Sequence, residues 1–171
     1  MRWVAARADS RGMHKLIIIS AVAAAAVAAG CGNGDKTLTK RQVIARGTAI
    51  CKTAEKRVER LPQLTVQHPF ATGTSAKTRS DARKFLAGYA NALEYSRQGL
   101  AKLHAPADGK RLLDAYVRDL GGIVAEFRVA SKAPDAEVEA DAMKAFAMFE
   151  KASAQTKNYG FPKGVCQAGD S

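Results

Sequence analysis

Four stretches of this chain repeat apolar residues at steps of three and four, and each is closed by a proline or a glycine. That spacing puts the apolar side chains on one face of an α-helix. The first stretch runs from about Thr39 to Leu61, with Thr39 as N-cap and Gln42 three places on completing a capping box. Ile44, Gly47, Cys51, Ala54, Val58 and Leu61 share its face, and Pro62 stops it. Residues 62–79 hold two prolines, Gly73 and several Ser and Thr, which reads as a long loop, functional or mobile. The second helix is expected from a cap at Ser80 to about Leu103, with Phe85 or Leu86, Tyr89, Leu93, Ser96 and Leu100 facing inward. The third is expected from a cap at Asp108 to about Ser131, on Leu113, Tyr116 or Val117, Leu120, Ile123 or Val124, and Phe127. Pro134 suits the first turn of the fourth, which buries Val138, Ala142, Ala145 or Phe146, Phe149 and Ala152. Its acids (Asp135, Glu137, Glu139, Asp141) precede its lysines (Lys144, Lys151, Lys157), the order the helix dipole favours. Gly160 ends it and Pro162 prevents its return. Four such helices predict an all-α four-helix bundle over residues 39–171.

The region before them obeys different physics. A basic stretch ends at His14-Lys15, and residues 16–29 are almost wholly apolar. Fourteen residues make a helix of about 21 Å, short of the roughly 30 Å of a hydrocarbon core. The run is therefore too short for a permanent membrane span and has the three-part form of an export leader over residues 1–30. Met13 is a second candidate start, since Met13-His14-Lys15 is a compact basic region by itself. Paired arginines are missing, so a twin-arginine route has no support.

The leader closes on Ala28-Ala29-Gly30-Cys31, which resembles the lipobox of bacterial lipoproteins, with Ala28 where Leu is commonest. The resemblance implies a diacylglycerol on the Cys31 sulfur and cleavage between Gly30 and Cys31. Two acyl chains are what stable anchoring needs. The competing reading is an ordinary secretory leader with a chance cysteine at its end. Residues 31–38, carrying Gly32 and Gly34, then form a flexible tether. On the lipoprotein reading the protein sits on the extracytoplasmic side of the cell membrane.

Export changes the cysteine count and the charge. With Cys31 acylated, Cys51 and Cys166 remain, and in an oxidising compartment an even pair predicts a disulfide. Two unrelated thiols are the alternative. A tail from Tyr159 to Cys166 spans at most about 26 Å, and Cys51 lies roughly 18 Å along helix one, so the tail reaches. Tyr159, Phe161 and Val165 are placed to pack across the bundle on the way. Losing residues 1–30 removes four basic and one acidic side chain, leaving 23 and 15 and a net charge of +8. Such a balance keeps an exposed domain soluble and also favours anionic lipid or envelope polymers. Nucleic acid shares that electrostatic preference but is not expected as a partner of an exported chain.

The basic residues of helix one, Lys40, Arg41, Arg46, Lys52, Lys56, Arg57 and Arg60, lie closest to the anchor. They form either a contact for anionic headgroups or a solvated face, on which Glu55 and Glu59 would pair with Lys52, Lys56 and Arg60. No metal, cofactor or catalytic pattern stands out. His68 and His104 are solitary, Glu-x-x-His spacing is absent, and neither a phosphate loop nor a Gly-x-Ser-x-Gly elbow occurs. An enzyme of unrecognised carboxylates is a distant reading. Gly121-Gly122 inside helix three is the oddest local feature, explained by close helix approach, a kink or room for a ligand. The aromatics Phe85, Tyr89, Tyr116, Phe127, Phe146 and Phe149 read as core or as a cavity wall.

Taken together, the lipobox, the cysteine of Ala49-Ile50-Cys51-Lys52 and the closing segment Tyr159 to Cys166 resemble small helical lipoproteins of unknown function from Ala/Arg-rich bacterial proteomes. The resemblance implies an all-α domain with one terminal disulfide and transfers no activity. The expected role is a non-enzymatic binding or structural module of the envelope, its protein partner not indicated. A carrier of an apolar small ligand inside the bundle is the second expectation.

Overall fold

The computed structural model describes residues 37–166, so the leader, Cys31 and most of the tether lie outside the described residues. Four helices follow one another: α1 (Lys40–Val58), α2 (Ala76–Ala101), α3 (Ala107–Ala130) and α4 (Asp135–Tyr159). Thr39 caps α1 as its sequence predicts: the Thr39 side chain accepts from the Gln42 amide, and the Gln42 side chain accepts from the Thr39 amide.

α2 begins a turn earlier than the expected Ser80. Its cap is Ser75, which accepts from the Thr78 amide. The added turn has no buried apolar residue, so hydrophobic periodicity cannot register it. Polar contacts hold it instead: Lys77 pairs with Asp81 at 2.6 Å, and Arg79 and Arg83 reach Asp135 of α4 at 3.1 and 2.7 Å. α3 starts after Pro106, which supplies no side-chain cap, and Asp108 lies in its first turn rather than at the cap.

Successive helices run antiparallel. Leu61, just beyond α1, lies against Gly88 at the middle of α2, while Ile50, earlier in α1, lies against Gly99 near the end of α2. Glu126 of α3 pairs with Lys144 of α4 at 3.0 Å, and Tyr159 at the end of α4 covers Gly109 at the start of α3. The helices pack chiefly as α1 on α2, α2 on α3 and α3 on α4. Direct α1–α4 packing is slight, and the C-terminal tail takes its place.

That tail is set up by a left-handed glycine. Gly160 has φ 105°, and the amides of Gly160 and Phe161 both donate to the Thr156 carbonyl at 3.1 and 3.0 Å. This close of the helix turns the chain back along α1. Phe161 then lies on Gly47, where an added Cβ would come within 2.5 Å of its ring. Val165 and Cys166 are buried beyond it, and Cys166 is bonded to Cys51 across a sequence separation of 115 with Cα atoms 5.2 Å apart. Phe161, Tyr159 and Val165 thus fill the seam between α1 and the rest of the bundle, as the reach of the tail predicts.

Gly121 and Gly122 do not mark a close approach. α3 runs through them without a break, and a Cβ at either would meet only ordinary contacts, 3.6 Å to Arg97 and 3.7 Å to Met148. The close approaches are instead at Gly47, Gly88, Gly99 and Gly109, where an added Cβ would come within 2.3–2.8 Å of a neighbouring side chain.

Candidate functional site

The outer half of α1 gathers the cations expected near the anchor. Val43, Gly47, Cys51 and Ala54 are the buried residues of this helix. At 100° per residue they leave Arg41, Arg46, Lys52 and Lys56 on the side away from that stripe and Arg57 at its edge, while Arg60 follows in the turn just beyond the helix, and all six are exposed. Lys40 stands apart from them. It is on the inner side of the first turn, with its ammonium 5.7 Å from the centre of the Tyr159 ring. Arg57 also has an aromatic partner, its guanidinium 3.9 Å from the centre of the Tyr95 ring on α2. The seven residues are therefore not one surface. Five face outward without an aromatic partner, and two clasp the edges of the helix.

The remaining carboxylates of the bundle are mostly committed. Glu94 binds Arg97 at 2.7 Å, Asp114 binds Lys110 at 2.6 Å, and Asp119 binds Arg118 at 3.1 Å. Glu139 binds His68 at 3.2 Å, a link from the 62–75 loop to α4 that the isolated histidine did not suggest. The Arg97 hydrogen bond, helped by one from Gln98, holds the Glu94 carboxyl down to about 2. No described carboxylate forms an ion pair with any cation of α1. The expected pairing of Glu55 and Glu59 with Lys52, Lys56 and Arg60 is thus not made among the described residues, and cations outnumber carboxylates on this helix.

Local energetics oppose this placement at one end. The first turn of α1 has no acidic residue and begins Lys40-Arg41. Cations beside the positive end of a helix cost roughly 0.3–1 kcal/mol each. The capping box offsets that cost without removing it.

The interior has a different character. Tyr89 lies 4.9 Å from Phe127 and 5.5 Å from Phe146, and Phe127 lies 4.8 Å from Phe146, measured between ring centres. The rings close on one another and form core rather than wall. Tyr116 is 2% exposed, and burial, with the neighbouring Tyr89, pushes its hydroxyl well above the usual tyrosine range. That hydroxyl donates to the Cys166 carbonyl at 2.6 Å, a role its place in the α3 stripe did not reveal. Open depressions border the first turns of α3, one of about 450 Å³ bounded by Thr37, Leu103, His104, Lys110 and Asp114. Among the described residues no group of three His, Cys, Asp or Glu is placed to hold a metal. No helix of the described residues is long and apolar enough to cross a membrane.

Compared with protein-family models, curated proteins and solved structures, the chain matches none.

Proposed function

We propose that this chain is an exported cell-envelope lipoprotein, held on the outer side of the cell membrane by acyl chains on Cys31, whose helical domain serves as a non-enzymatic binding or structural module. The observation that carries this reading is Ala28-Ala29-Gly30-Cys31 directly after the apolar run of residues 16–29. A leader of that length delivers the chain across the membrane without remaining in it. The Cys51–Cys166 bond supports the same compartment, because such a bond persists where thiols are not kept reduced. The cations of α1, which have no described ion-pair partner, favour an anionic partner, lipid or envelope polymer.

Detergent-phase partitioning of the expressed full chain tests the reading. The native sequence enters the detergent phase as a processed, acylated product. The Cys31→Ala variant stays unacylated and loses that partitioning. Equal partitioning of the two into the aqueous phase rejects the anchor.

A further inference from the structure

The geometry points to one orientation of the bundle: we propose that Arg41, Arg46, Lys52, Lys56 and Arg60 lie along the anionic phospholipid headgroups of the leaflet that holds the anchor, with α1 as the contact surface. This deepens the reading above and takes from it only the position of the anchor. Three observations converge. All five side chains are exposed, Arg41, Arg46, Lys52 and Lys56 on the side of α1 away from its buried stripe and Arg60 in the turn just beyond its end, and none has a described carboxylate partner. The bundle leaves this helix at its edge, since α1 packs chiefly on α2. Its first turn also carries Arg41 against the helix dipole, a local cost that a contact with anions would reverse.

The source of the anion follows from chain length. Seven residues lie between Cys31 and Thr39, and the eight steps from one to the other span at most about 29 Å. The start of α1 cannot leave the neighbourhood of the surface that holds Cys31. A helix of 19 residues then presents a strip about 28 Å long. Surface charge acts over a Debye length of about 8 Å at physiological salt, so the strip gains by lying flat. A bilayer supplies phosphates along its whole length at the required distance from the tether.

The test uses the mature chain, residues 31–171, as Cys31→Ser, so that no acyl chain contributes. Its binding is measured to vesicles of phosphatidylcholine alone and of phosphatidylcholine mixed with phosphatidylglycerol. One variant carries Arg46→Glu, Lys52→Glu and Lys56→Glu. A second carries Lys132→Glu, Lys151→Glu and Lys157→Glu, with the same change in net charge but on α4 and the turn before it. Circular dichroism verifies that both keep the helix content of the parent.

Binding is expected only to the anionic vesicles, weakening with added salt. The α1 variant should lose roughly 100-fold, at about fivefold for each of the three charges removed near the surface, and the α4 variant less than tenfold. Equal loss in the two variants, or no preference for anionic vesicles, overturns the proposal. So does tight binding to a soluble anionic polymer with none to vesicles. Because this preparation has no anchor, these outcomes are independent of the partitioning of the Cys31→Ala chain.

Discussion

The Tyr116 hydroxyl on α3 donates to the main-chain carbonyl of Cys166, and the sulfur of the same Cys166 is bonded to Cys51 on α1. One tail residue thus ties two helices that are not neighbours in the packing order. Cys166 itself has φ 57°, a backbone conformation that L residues seldom adopt. The hydrogen bond and the disulfide together hold it there.

Tyr116→Phe removes the donor and leaves the buried Cys166 carbonyl without it. The expected loss is about 1–3 kcal/mol, measured by chemical denaturation of the oxidised protein. The disulfide of the variant should also be reduced faster under native conditions. A variant as stable as the parent, with unchanged reduction, would show that the bond does not hold the tail.

The two kinds of glycine separate in one experiment. Gly47→Ala drives a methyl into the Phe161 ring and should cost about 1–3 kcal/mol, as overpacking does. The double variant with Phe161→Ala should show less than the sum of the two losses. Gly121→Ala and Gly122→Ala meet no such obstacle and should each stabilise by up to about 1 kcal/mol. Thermal unfolding of these five variants, Phe161→Ala alone included, reads all of these effects.

Much of this architecture is legible in the residues. The capping box at Thr39, most of the inward stripes and the glycine stop at Gly160 lie where local rules put them, although α1 buries Val43 where the spacing pointed to Ile44. The tail pairing follows from the even cysteine count that the expected export leaves and from chain length. What escapes is what depends on contacts between distant segments. The first turn of α2 has no apolar signal, because Arg79 and Arg83 dock it on Asp135 more than fifty residues away. Gly47 and Gly122 look alike in sequence, and only the Phe161 ring separates them. The cations of α1 were visible as a group, yet their division into an outward set and two aromatic clasps needed Tyr95 and Tyr159 in place.

Acid stability carries a signature of Glu94. Its carboxyl is held down to about 2 in the folded protein by the Arg97 hydrogen bond, below the usual glutamate value of about 4.3. A lowered folded value means that the stabilisation is complete above the unfolded value and fades as pH falls toward 2. The pair is partly solvated, with Glu94 18% and Arg97 35% exposed, so its contribution is discounted to about 1 kcal/mol. Glu94→Gln should therefore lower stability by about that amount at neutral pH, with the difference from the parent shrinking between about pH 4.3 and pH 2. A difference that stays constant with pH would contradict the linkage.

The central claim concerns Cys31, and the most direct measurement is the intact mass and N-terminal peptide mass of the protein extracted from membranes of cells expressing the full chain. The account predicts a polypeptide that begins at Cys31, with the mass of a diacylglycerol on that residue and Cys51 joined to Cys166. A product that begins elsewhere, or a Cys31 sulfur free of lipid, would contradict it.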